Sequence, residues 1–296
     1  MFTWWVGVAG AADTFESSAL LAMGRVGVAS SRENASLTLN PGLLALDQRY
    51  DFQGQFRYGP EGALAGGLNA VDGRTSDRVA GGLAYTGDTA EPEPTVDELP
   101  GWIVPGEEIQ NKKTSHDVAF GAAVPWADRR VSFGLGGTVG WYHTDRFGNG
   151  WRADANAGVG VRPTEGLTLG VSARNFVPTG ALDRPLEVLA GARTDFDDWP
   201  ALEVDVGWRP DSDAKLPLDV GAGFSIDGKG AAVRAGWRRD ALGDVHSIGA
   251  GVAVLGPGSA LEYGTLVPVT GDVRFDRTIH QLTLRFSAAE PIPEPR

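Results

Sequence analysis

Cysteine is missing altogether from the 296 residues, which removes disulfide staples, a thiol nucleophile and cysteine-bound zinc at once. No apolar run approaches the roughly 18 residues that a membrane-crossing helix needs. Basic residues are few: 26 Lys and Arg stand against 38 Asp and Glu, for a formal charge of −12. A phosphate backbone needs a Lys/Arg stripe, so nucleic acid is excluded as a partner. The chain has no Gly-x-Ser-x-Gly elbow, no His-Glu-x-x-His pair and no Asp-x-Asp-x-Asp-Gly calcium loop. No catalytic, cofactor or metal residue is therefore assigned, and the protein is not expected to be an enzyme. His143 near Asp145 is the one pair worth weighing as a general base, and one such pair is a weak signal.

Glycine is what the chain has in excess, with 42 residues. No Gly-x-y period runs through them, so collagen is excluded. They lie inside apolar segments rather than in a Gly/Ser linker. Those segments alternate. Trp151, Ala153, Ala155, Ala157, Val159 and Val161 share one face, opposed by Arg152, Asp154, Asn156, Gly158 and Gly160. Leu202, Val204, Val206 and Trp208 oppose Glu203, Asp205, Gly207 and Arg209. A period of two is a strand period. The pattern recurs at 49–58, 62–70, 77–86, 115–124, 130–142, 150–161, 166–175, 185–193, 201–209, 216–225, 231–239, 244–254, 259–266 and 277–287. Most segments are about 9–11 residues, the length with which a tilted strand crosses a bilayer, and an even count suits a bacterial barrel.

With the first strand running outward, the inner connections are short and the outer ones longer, the longest being 87–114. Aromatics sort with strand parity. Tyr58, Tyr85, Trp141, Trp151, Phe176, Trp208 and Trp237 fall at outer ends; Tyr50, Trp126, Phe196, Trp199, Phe224 and Phe286 fall at inner ends. Two girdles of this kind mark a transmembrane barrel. The expected fold is all-β: a 14-stranded antiparallel transmembrane β-barrel in the bacterial outer membrane, with an N-terminal hatch in the lumen. The hatch follows from the inward face, which is largely glycine. Such a wall cannot fill a lumen of this size by itself, and residues 13–46 are the contiguous stretch placed to do so. On alternation alone, Gly136→Ser on the inward face should be much milder than Val139→Arg on the lipid face. The expected organisation is a signal-peptide remnant at 1–12, the hatch at 13–46, the barrel at 47–287 and a Pro-rich periplasmic tail at 288–296.

Within 13–46 stand Met23-Gly24-Arg25-Val26-Gly27-Val28-Ala29, then Asn40-Pro41-Gly42-Leu43 leading to the first strand. Gly24, Gly27 and Gly42 permit close approach or positive φ. Pro41 biases Asn40 toward an extended conformation, and Asn40 can bond its own backbone two residues on. This order resembles the N-terminal hatch of the long-chain fatty-acid transporter (FadL-type) barrels and their PorV/PorQ-like relatives. The resemblance implies a fourteen-stranded, hatch-plugged barrel for passive uptake of small hydrophobic compounds, with exit sideways through the wall. Gly24, Arg25, Gly27, Asn40, Pro41 and Gly42 are its expected hatch residues. The exit is expected where Gly66, Gly67, Gly81 and Gly82 weaken the second and third strands. The alternative is a structural or partner-binding barrel of a secretion or motility assembly.

Expected partners are outer-membrane lipid and lipopolysaccharide, a hydrophobic small molecule, and a periplasmic or outer-membrane protein. In the long outer loop, Leu99, Trp102, Ile103 and Val104 form an apolar patch suited to a hydrophobic ligand. The carboxylates around them suit divalent cations shared with lipopolysaccharide phosphates. Lumen charges such as Asp51, Arg57, Glu203, Asp205, Asp219 and Arg238 are expected to pair, since a low-dielectric wall penalises lone charges.

Overall fold

The computed structural model describes residues 16–30, 34–59, 63–90, 113–144, 148–177, 179–180, 186–195, 200–210, 217–240, 245–270 and 278–288. The proposed leader at 1–12, the apolar patch at 99–104, Asp145, Phe196, Trp199 and the tail beyond 288 lie outside them.

Fourteen strands form the wall: β1 (Tyr50–Tyr58), β2 (Leu64–Asp72), β3 (Ala80–Ala90), β4 (Lys113–Trp126), β5 (Val131–Thr144), β6 (Gly148–Thr164) and β7 (Leu167–Arg174), then β8 (Glu187–Thr194), β9 (Ala201–Trp208), β10 (Leu218–Asp227), β11 (Ala231–Asp240), β12 (Val245–Gly256), β13 (Ser259–Pro268) and β14 (Ile279–Ala288). Each strand pairs antiparallel with the next. β14 pairs with β1 from Tyr50↔Ala288 to Tyr58↔His280, so the sheet is closed and has no edge. A two-residue bridge, Thr179–Gly180, pairs with Arg152 and Ala153 of β6.

The barrel is inside-out. Phe56, Leu68, Leu83, Leu135, Val204 and Val252 are exposed on its outer face, while Gln53, Arg57, Asp117, Glu203 and Glu262 are buried within. An apolar exterior around a polar interior is stable in hydrocarbon and not in water, so the wall spans a membrane. β4, β5 and β6 run to 14, 14 and 17 residues, longer than alternation suggests. Pairing of β5 with β6 continues to Thr144↔Gly148, so both strands extend into the stretch 143–149 that alternation leaves outside them. This is the far end of the barrel, opposite the start of β1.

Inside lie helix α1 (Ser18–Ala22), helix α2 (Ser36–Leu39) and a 3₁₀ turn at Pro41–Leu43. Ser17 caps α1, its Oγ accepting from Leu20 N at 3.1 Å. One half of the segment is held by apolar packing, with Leu37, Leu44 and Ala45 against Val71, Ala80, Ala84, Ala119 and Ala123 of β2, β3 and β4. Leu20 then meets Ala35 and Leu39, so the two halves also pack on each other.

Candidate functional site: the lumen and the chain inside it

The N-terminal segment runs around the inner wall, and inward glycines are its seats. A methyl group on Gly236 would overlap the Met23 carbonyl, and one on Gly158 would overlap the Asn40 side chain. Gly264, Gly249, Gly170 and Gly134 meet Ser18, Ala22, Val28 and Pro41 in the same way. Gly136 stands so that a Cβ would lie 2.9 Å from the Phe120 carbonyl oxygen and 3.4 Å from that of Leu37. Backbone therefore occupies the space that a side chain at Gly136 would take.

The motif residues lie along this ring. Gly24 has φ +73° with Trp237 backbone 3.0 Å from where a Cβ would be, so both conformation and space demand glycine. Arg25 follows at φ 64°, and its Nε reaches Glu16 at 3.0 Å. Asn40 Oδ1 accepts from Gly42 N at 3.1 Å, the local turn bond of an Asn-Pro-Gly order. Asn40 Nδ2 also donates to the carbonyls of Val28 at 3.0 Å and Val159 at 3.2 Å, joining both halves of the segment to β6. Pro41 and Gly42 sit against Gly134 and Gly158.

Charged side chains complete the anchorage. Asp205 Oδ2 accepts from Gly27 N at 2.6 Å and Val28 N at 3.0 Å, and Glu203 Oε1 accepts from Ala29 N at 3.1 Å. Arg193 pairs with Glu203 at 3.2 Å. Arg209 bridges Glu187 at 3.2 Å and Asp219 at 2.9 Å, and Arg238 reaches Asp219 at 3.2 Å. Ser18 bonds Thr283 and Gln281 of β14. Alternation identifies these wall charges as inward but is silent on which bonds are to side chains and which to the segment's backbone.

Nothing local in the sequence marks Glu16. It pairs with Arg57 at 2.7 Å as well as Arg25. Burial pushes its carboxyl up, but Arg25, Arg57 and Arg238 outweigh burial and hold it below the ordinary 4.5. A depressed carboxyl contributes stability above its unfolded value and loses it as pH falls through its folded value. Planar-bilayer recordings should thus show current bursts growing only as pH drops below 4.5, the ordinary value. Glu16→Gln should show bursts already at pH 7, the level at which the native carboxylate is ionised. An identical pH profile in Glu16→Gln would remove Glu16 from the anchorage.

Two small cavities flank the stretch 23–30. One of about 30 Å³ lies toward the far end among Arg25, Val26, Arg174, Glu187, Asp219 and Arg238. One of about 130 Å³ lies toward the near end among Met23, Ser30, Arg193, Ser225, Arg234 and Arg285.

No protein-family model and no curated protein matches the sequence. Solved structures do match its fold. A Pseudomonas aeruginosa FadL homologue superimposes with a TM-score of 0.65 at 12% identity, over 92% of this chain and 98% of that one. The fold is that of the FadL-type barrels. The Ralstonia pickettii toluene transporter TbuX gives 0.64 at 12% identity, over 93% and 97% of the two chains. The Pseudomonas putida toluene transporter TodX gives 0.63 at 11%, over 93% and 97%.

In this FadL-type wall the ladder runs unbroken through Gly66, Gly67, Gly81 and Gly82, with partners Gly87, Thr86, Asp72 and Val71. The irregular seam is elsewhere, between β6 and β7. Register shifts between Val161 and Thr164, and beyond Ala173↔Ala157 the chain turns at Asn175, φ 57°. Asn156 Oδ1 takes the Asn175 N–H there at 3.1 Å. His143 points outward and meets Asn149 Oδ1 at 2.7 Å, away from the lumen.

Proposed function

We propose that this chain is a bacterial outer-membrane barrel for passive uptake of small hydrophobic compounds, its N-terminal segment serving as a hatch. The observation that carries the reading is the seated segment: residues 16–30 and 34–46 are almost entirely buried inside a wall shaped to hold them. The fold likeness to toluene transporters supplies the substrate class. The test is toluene uptake by cells with and without the protein, at limiting toluene. Faster uptake with the protein supports the reading. Equal uptake with a folded barrel present would move the choice to the partner-binding alternative.

For the sideways exit we propose the β6–β7 seam rather than the glycine pairs of β2 and β3. The seam is irregular, and Arg174 at the end of β7 borders the far-end cavity. Partner positions in an antiparallel pair lie within disulfide reach. A crosslink between Ala157→Cys and Ala173→Cys should slow uptake, whereas one between Leu68→Cys and Tyr85→Cys should not. The reverse result would return the exit to β2–β3.

Orientation is testable without background labelling, because the chain has no cysteine. Asn149→Cys at the far end should react with a membrane-impermeant maleimide on intact cells. Lys229→Cys, in the exposed β10–β11 turn, should react only after the outer membrane is opened. Labelling of Lys229→Cys alone on intact cells would invert the barrel.

A further inference from the structure

The larger cavity, of about 130 Å³ at the near end, lies between the inner segment and the wall. Met23 and Ser30 of the inner segment border it on one side. Arg193 of β8, Ser225 and Asp227 of β10, Arg234 of β11 and Arg285 of β14 border it on the other. The Asp227 side chain is 47% exposed and that of Arg285 20%, so the cavity communicates with solvent at the near end.

Two of its three guanidiniums are committed to the wall. Arg193 meets Glu203 at 3.2 Å and Asp195 at 3.5 Å, and Arg285 meets Glu262 at 3.5 Å. Arg234 differs. It is 6% exposed, yet its carboxylate neighbours Asp227 and Glu262 stand at 3.9 and 3.8 Å. Both distances exceed a hydrogen bond. Among the described residues, no acceptor lies within hydrogen-bond distance of the Arg234 guanidinium. Ser225, its direct cross-strand partner, donates its hydroxyl to Asp227 Oδ1 at 2.7 Å instead. A buried guanidinium without acceptors is costly, so its donors are met by what fills the cavity.

The charges around the cavity balance. Arg193, Arg234 and Arg285, with Lys229 exposed in the turn beside the mouth, stand against Asp195, Glu203, Asp227 and Glu262. A balanced surround selects neither an anion nor a cation. It suits a molecule that carries both charges. We propose that the cavity binds a small α-amino acid as its zwitterion. The carboxylate takes the planar Arg234 fork, which matches its two oxygens. The ammonium donates to Asp227. Arg234 and Asp227 are too far apart to close on each other, and a carboxylate and an ammonium on one carbon fill the gap with charges of alternating sign. Size agrees: a cavity of about 150 Å³ admits benzene, so one of 130 Å³ admits a molecule of a few heavy atoms. Met23 offers the apolar surface for a short side chain. Because Met23 and Ser30 belong to the inner segment, the bound amino acid joins that segment to the wall and favours the seated arrangement by mass action. The site depends neither on the proposed transport nor on the proposed orientation.

Calorimetric titration of the full chain in detergent at neutral pH tests it. The probes are alanine, acetate, methylamine and inorganic phosphate. Alanine should bind best. Acetate and methylamine each forfeit one charge-assisted contact and should bind at least about ten-fold more weakly. Arg234→Gln should weaken alanine by about ten-fold or more, and Arg234→Lys, which keeps the charge without the fork, should fall between. Asp227→Asn should weaken alanine to a similar degree and leave acetate as in the native chain, a split that general loosening of the wall would not produce. Asp227 is half exposed, so this variant carries the test even if Arg234→Gln fails to fold. Arg130→Gln, in the exposed β4–β5 turn, should bind as the native chain does. Heat-modified gel mobility reports folding for each variant. No heat with alanine on the native chain would mean a cavity that holds water alone and would overturn the site. Acetate or phosphate binding as tightly as alanine would overturn it in favour of a plain anion site.

Discussion

Deleting residues 17–34, while keeping Asn40, Pro41 and Gly42 to launch β1, should convert a closed barrel into a conducting one. The cause is steric. The inward glycines present backbone where other barrels present side chains, and that backbone is now covered by Ser18, Ala22, Met23 and Val28. Removing the cover leaves α2 and the Pro41 turn on the β2–β6 side, held by Leu37 and Leu44. The other side of the lumen, from β8 to β14, is left bare. A fourteen-stranded ring falls between the sizes that fill themselves and those that form wide channels, so the current should be measurable and below that of a porin. Arg193, Arg234, Arg238, Glu203 and Asp219 would then line water rather than protein, which favours a hydrated path. Planar-bilayer recording should find the full chain closed and the deletion open. Steady conduction by the full chain would mean that the segment does not plug, and a diffusion porin becomes the better description.

The wall was legible because lipid and lumen impose opposite chemistry on alternate residues. Each of the fourteen strands lies where alternation places it, and the girdle aromatics Tyr58, Trp141 and Trp208 stand exposed at far ends as parity requires. Strand length was less legible. β6 begins at Gly148, ahead of its expected start at 150, because pairing with β5 persists beyond the apolar band, where alternation carries no signal. The seats were half legible. An inward glycine reads as absence of a side chain, and only the fold shows that Gly236 and Gly158 are small because Met23 and Asn40 pass over them. Contacts between residues far apart in the chain were not legible at all. Glu16 meets Arg57, and Gly27 meets Asp205, through closure of the ring rather than through any local spacing. Glycine pairs such as Gly81-Gly82 suggest a weak strand, yet their ladder partners are intact, and the irregularity at Asn175 has no glycine to announce it.

Val204→Arg should cost the barrel about 2–4 kcal/mol, the range for a cation at the midplane of a transmembrane barrel. Val204 is 53% exposed on the outer face, and lies mid-way along β9, one of the shortest strands at 8 residues. Its cross-strand partners Ala192 and Ala222 are too small to shelter a guanidinium. From that depth the side chain must snorkel past Val206 and Trp208 to reach the rim. Leu64→Arg begins at the rim, as the first residue of β2, and should cost only about 0–1 kcal/mol. Urea titration in lipid vesicles, followed by heat-modified mobility, measures both. The depth dependence is the discriminating feature. A wall that met water on its outer face would accept arginine at either position with similar ease, so equal effects of Val204→Arg and Leu64→Arg would contradict a membrane around β9. A large gap between them places the centre of the hydrocarbon at the level of Val204.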